Sequence, residues 1–131
     1  MPSYDFDKWE FFKAVIAKLR ADLEPGIAVY ETAPKEIQRD FVTVFEADFR
    51  RTSGQTTEGW EVDLEVHAVA RSESFKRVCE IDQSVSASLT GSGLVVSGAT
   101  AHITADAAQF FRDRDGETTA AVINLNCHVW E

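Results

Sequence analysis

Glu61, Asp63, Glu65 and His67 occupy alternate positions of one run of the sequence. On a β-strand, successive side chains take opposite faces, so these four share a face at spacings of about 6–7 Å. A carboxylate and an imidazole at that distance, Glu65 with His67, suit a divalent metal. A defined metal site also needs ligands from a neighbouring strand, and the sequence marks none. The same residues suit a solvated or subunit-facing acidic stripe. No Lys or Arg lies between them, so nothing local in the sequence neutralises Glu61, Asp63 and Glu65.

Other chemistry finds less support. Gly91-Ser92-Gly93 begins a dinucleotide-type glycine pattern, but its third position is Val96 and no Gly-Lys-Ser/Thr follows. There is no Gly-x-Ser-x-Gly elbow, and no local pattern marks Cys79 or Cys127 as a thiolate. The two cysteines form no Cys-x-x-Cys pair, so neither a disulfide scaffold nor a four-ligand zinc site is expected. Both read as reduced, buried, small apolar residues. Asp113-Arg114-Asp115-Gly116 resembles part of a calcium loop but lacks the later ligands, and turn chemistry explains it better. His102 and His128 fall on different expected strands. The pairs Arg50-Arg51, Lys76-Arg77 and Arg112/Arg114 have acids nearby and suit ion pairs at a subunit boundary. No catalytic residue, cofactor site or metal site is assigned.

The elements that must position these residues fit one domain of 131 residues, 44% of them hydrophobic and including nine Phe. Thirteen basic against 22 acidic residues leave a formal charge of −9. That charge argues against gripping phosphate or docking on anionic membranes. No apolar run approaches the roughly 18 residues of a membrane span. The acidic opening lacks the plan of a signal peptide.

A helix is expected to start at Asp7, with Glu10 completing a capping-box-like start. Trp9, Phe12, Val15, Ile16, Leu19 and Leu23 share its apolar face, and Pro25-Gly26 closes it. A short strand, Ile27 to Tyr30, precedes a polar loop through Pro34. Phe41 to Phe45 is a strand running on toward Phe49. Arg50 to Gly59 reads as a long, exposed, polar hairpin tip. The strand from Trp60 turns Trp60, Val62, Leu64, Val66 and Ala68 inward. Ser74 to Leu89 is a second amphipathic helix, with Phe75, Val78, Cys79, Ile81, Val85 and Leu89 apolar and Asp82 as a blemish. Thr90 to Gly93 ends it. Leu94 to Thr104 is a strand weakened by Gly98. Gln109 to Arg112 and Thr118 to Trp130 flank an Asp115-Gly116 hairpin turn, with Ala121, Ile123, Leu125, Cys127 and Val129 inward. The order implies an α+β fold: a mainly antiparallel sheet with two amphipathic helices packed on one face.

Several stretches together resemble the tail-completion, or tail-terminator, family of long-tailed bacteriophages and gene transfer agents. They are the opening helix (Phe12 to Leu23), the strand Ile27-Ala28-Val29-Tyr30 leading to Pro34, and the alternating run from Val62 to Ser72. The helix from Phe75 to Leu89 and the Arg112-Asp113-Arg114-Asp115-Gly116 turn before the terminal strand complete the pattern. Where such proteins often carry a Trp between positions 66 and 71, this sequence has His67-Ala68-Val69.

The resemblance implies a structural, non-enzymatic virion protein, assembled in the host cytoplasm. It implies a homo-oligomer ring, typically a hexamer, at the head-proximal end of the tail. Such a ring caps the tail tube protein, stops tube growth and offers a surface to the head-completion (connector) protein. DNA passes through its channel without specific binding. On that basis Arg50, Arg51, Gln55, Thr56, Thr57 and Glu58 are the expected protein interface. Glu61, Asp63 and Glu65 are expected to form an acidic stripe on the channel or at an interface. The rival reading is a small α+β enzyme or ligand-binding domain, with Asp82 and His102 or His128 at an apolar pocket under the helices.

Overall fold

The computed structural model describes residues 7–36, 39–53, 58–90, 93–96 and 98–130, with only the backbone at 52, 53 and 58. Helix α1 (Lys8–Asp22) starts where expected, because the Asp7 carboxylate accepts hydrogen bonds from the backbone N–H groups of Trp9 and Glu10. Its buried stripe is Phe11, Val15, Ile16 and Leu19, while Trp9 lies out in solvent and Phe12 is half-buried. The stripe expected from Trp9 and Phe12 is therefore turned by one residue, onto Phe11. The Phe11 and Phe12 rings meet Phe49 edge-on at 5.6 and 5.9 Å, which closes that end of the core.

Six strands form one sheet in the order β1-β2-β3-β6-β5-β4. They are β1 (Ala28–Tyr30), β2 (Phe41–Ser53), β3 (Glu58–Ala70), β4 (Leu94–Val96), β5 (Ala99–Arg112) and β6 (Thr119–Trp130). Every pairing is antiparallel except β1 with β2. The Ser74 hydroxyl caps α2 (Phe75–Leu89), whose Val78, Ile81, Val85 and Leu89 join the same core as α1. Both helices cover the sheet face built from Val62, Leu64, Val66, Ile123, Leu125 and Ile103. This is the expected α+β architecture.

Two boundaries differ from expectation. The polar stretch from Arg50 does not leave the sheet: β2 continues to Ser53 and β3 begins at Glu58. Backbone pairing holds polar side chains in a strand as readily as apolar ones when one face meets water. The expected strand from Leu94 to Thr104 is instead a hairpin. Gly98, at φ 81°, makes the reversal between β4 and β5, and β5 then runs unbroken to Arg112.

The six-residue turn from Asp113 to Thr118 is fixed by one carboxylate. Asp115 accepts hydrogen bonds from the backbone of Glu117 and Thr118 and from the Thr118 hydroxyl, while Gly116 takes φ 71°. At the other end of the sheet Gly59 must stay small, since a Cβ there would sit 2.3 Å from the Val129 carbonyl oxygen.

Candidate assembly surface

The face of the sheet turned away from the helices carries the polar residues. Strand alternation and register bring Glu61, Asp63 and Glu65 of β3 beside Arg50, Asp48 and Glu46 of β2, and beside His128, Asn126 and Asn124 of β6. The acidic stripe is thus one part of a broader acidic face. A shallow cavity of about 290 Å³ crosses it, lined by Glu46, Asp48, Asp63, Glu65, Asp106 and Asn124.

Arg50 corrects the expectation that nothing local neutralises the stripe. Its guanidinium lies 2.6 Å from Asp63, 3.2 Å from Asp48 and 3.3 Å from Glu61. The hydrogen bond from Arg50, helped by one from Asn126, holds the Asp63 carboxyl below the usual aspartate range. Sequence order hid this contact. Arg50 and Glu61 are eleven positions apart in the chain but directly opposed across the hairpin. One guanidinium still serves three carboxylates, so the face remains acidic.

Glu65 is engaged differently. Its carboxylate lies 2.7 Å from His67 Nε2, and the His67 ring stacks on Phe45 at 4.0 Å between centroids. Phe45 is 58% exposed because a β-bulge between Val44 and Glu46 leaves it without a cross-strand partner. A second bulge leaves Asp106 unpaired between Ala105 and Ala107. Both bulges flank the central Glu65–Asn124 pair, on either side of the sheet. Beyond Phe45, an apolar hollow of about 420 Å³ is lined by Phe41, Thr43, His67, Val69 and residues 31–33. Among the described residues, no group of three or more His, Cys, Asp or Glu side chains has a metal-binding arrangement.

The expected hairpin-tip interface is divided. Arg50 is spent on the acidic face, and the exposed Arg51 lies over the Trp60 ring at 5.1 Å. Glu58 opens β3, and Gln55, Thr56 and Thr57 lie outside the described residues. Of the other basic pairs, Arg77 is committed within the chain to Asp40 at 2.8 Å and Glu24 at 2.5 Å. Arg112 donates to the Glu73 carbonyl and covers the Phe75 ring at 4.2 Å. Within the chain Arg77 thus ties α2 to the loops after α1 and before β2, and Arg112 ties β5 to the start of α2.

The rival pocket does not come together. His102 and His128 are cross-strand partners on the face away from the helices, whereas Asp82 lies on α2 on the opposite side. Burial alone raises the Asp82 carboxyl, without a charged partner as a cause. Neither cavity described above, nor the groove on α1 between Trp9 and Arg20, is lined by any of these three residues. Cys127 is fully buried and its thiol is pushed up to about 12, as expected for a core residue, whereas Cys79 is half-buried. Among the described residues, no helix is long and apolar enough to cross a membrane.

The sheet face away from the helices is thus broad and acidic, with exposed aromatic residues beside it. Residues 13–129 match the family described as "Tail completion protein gp17", and the chain belongs to that family of phage tail structural proteins. The fold is similar to a chain in the structure "Virion of native gene transfer agent (GTA) particle", with a TM-score of 0.75 at 19% identity. That match covers 91% of this chain and 93% of the other. A second solved chain reaches a TM-score of 0.56 at 15% identity, covering 95% of this chain and 93% of its own. A search of curated protein sequences finds no match.

Proposed function

We propose that this protein closes into a ring of six copies on the head-proximal end of a tail tube. The ring stops tube growth, presents the surface on which the head-completion protein docks, and lets DNA through its channel. Family membership supports the tail role, and the acidic sheet face is the observation that carries the channel. Each copy carries a formal charge of −9, at the upper edge of the magnitude of about 2–8 that suits a small soluble domain, and six copies would gather six times −9, about −54, in one ring. With the sheet face inward, Glu46, Asp48, Glu61, Asp63, Glu65 and Asp106 outnumber Arg50 along the wall. Phosphate would be repelled and DNA would slide without being held. The end of the β2–β3 hairpin, with Arg51 and residues 55–58, would reach the tube or the adjacent copy.

Removal of the protein tests this role. Particles made without it should contain overlong, headless tubes, and supplying the protein should restore normal length and joining. Tails of normal length joined to heads in its absence would refute the role.

A further inference from the structure

From the topology we infer that the free edge of β5 in one copy takes the free edge of β2 from a second copy, continuing the sheet between subunits. The inference rests on the ring reading and adds the contact that would build the ring. Short strands cover the two sheet edges only in part, and at opposite ends. β4 pairs with Ala99 to Ala101 of β5, and β1 pairs with Phe41 to Thr43 of β2. Among the described residues, no strand lies beside the remainder of β5 or β2 on their outer sides. From Thr104 to Arg112 every residue of β5 is exposed, including Phe110 and Phe111, and Ala107 to Phe111 carries no charge. No Lys or Pro protects that stretch, so it is an edge poised to pair.

A second copy fits as the occupant on direction, length and side-chain size. β2 and β5 run in opposite directions within the sheet, so a copy placed alongside brings its β2 antiparallel to β5 with the same face outward. With β1 of the incoming copy clearing Arg112, and β4 clearing the incoming Ser53, Glu46–Arg50 can lie against Ala107–Phe111, the stretch between the two bulges. The alternation of faces then sets Asp48 opposite Gln109, Ala47 opposite Phe110 and Phe49 opposite Ala108, with a large residue meeting a small one on the inner face. On the outer face the partner's Arg50 falls opposite Ala107, beside the unpaired Asp106.

This register also suits closure. Within one chain Glu46, Glu65, Asn124 and Ala107 lie in one row across the sheet. Placing the partner's Arg50 opposite Ala107 therefore displaces each copy by about four residues, roughly 13 Å along the strands. Six copies with four long strands each would give about 24 strands and a total stagger of about 24 residues. Equal strand and shear numbers give a tilt of about 36°, within the range of closed barrels.

Disulfide trapping tests the register in assembled particles. Paired Cα atoms across antiparallel strands lie about 4.5–5.5 Å apart, within disulfide range. The double variant Asp48→Cys with Gln109→Cys should oxidise to a ladder ending at six copies. Asp48→Cys with Thr104→Cys, and each single variant, should give none. A six-copy ring in wild-type particles without the Asp48–Gln109 cross-link would overturn the strand pairing and leave the ring intact. The absence of a ring from wild-type particles would refute the proposed function, and this inference with it. Hydrogen exchange on the unaltered protein gives a readout independent of the variants. The outward-pointing amides within residues 46–50 and 107–111 should slow at least tenfold between free chain and particle, and unchanged exchange in both segments would also overturn the pairing.

Discussion

Truncation of Leu125 to Ala probes the packing on which the sheet face depends. Leu125 is 1% exposed on the central strand β6, opposite Leu64 of β3 and Ala105 of β5. Removing a buried leucine side chain costs about 2–5 kcal/mol, the higher values belonging to sites that cannot collapse. Ala105 is too small to fill the void from β5, and regular pairing holds the backbone of β3 on the other side. A loss of about 3–4 kcal/mol is therefore expected. Urea unfolding is the assay. With a slope of about 1.5–2 kcal/mol per molar, the midpoint should fall by about 2 M. Val122 on the opposite face of the same strand is only half-buried, and its truncation should cost about 1 kcal/mol or less. A smaller loss at Leu125 than at Val122 would mean that the faces of β6 are reversed.

Hydrogen bonds from Thr118 and Glu117 hold the Asp115 carboxyl below its ordinary range. A carboxyl depressed on folding contributes stability above its unfolded pKa, and that contribution is lost as pH falls through the folded value. Asp115→Asn should therefore lower the urea midpoint at pH 7 and flatten its fall in acid, and parallel pH profiles for the two proteins would contradict the turn assignment. The Cys127 thiol, pushed up to about 12, should resist aromatic disulfide reagents at pH 8 until the protein unfolds, whereas Cys79 should react more readily. Equal rates at the two cysteines in the folded protein would count against the core placement of β6. Converting Glu61, Asp63 and Glu65 together to Lys should give particles that package DNA but eject it poorly, worst at low salt, where screening is weakest. Ejection unchanged at every salt concentration would remove the acidic face from the channel.

The pattern of apolar residues carried much of this fold in the sequence. Strict alternation from Val62 to Ala68 and from Ala121 to Val129 identified the core face of both central strands, because a half-buried strand writes its environment with period two. Asp7 marked the start of α1 through its capping chemistry. The edges were less legible. β5 between Thr104 and Arg112 is exposed on both faces, so burial left no period there to read. The paired ends of β2 and β3 are polar and resemble a loop by composition. At the acidic face the three β3 carboxylates were visible in order, but Glu46, Asp48, Arg50 and Asp106 join them only through register and two bulges. A register is a relation between distant segments, and no single run of residues carries it.

Imaging of intact particles by cryo-electron microscopy, with the protein located at its place along the tail, tests the assembly most directly. Six copies in a closed ring between tube and head, with the Glu61-Asp63-Glu65 face lining the channel and the helices outside, are expected. A stable two-fold dimer, or copies found anywhere but the head-proximal end of the tail, would contradict the proposed role.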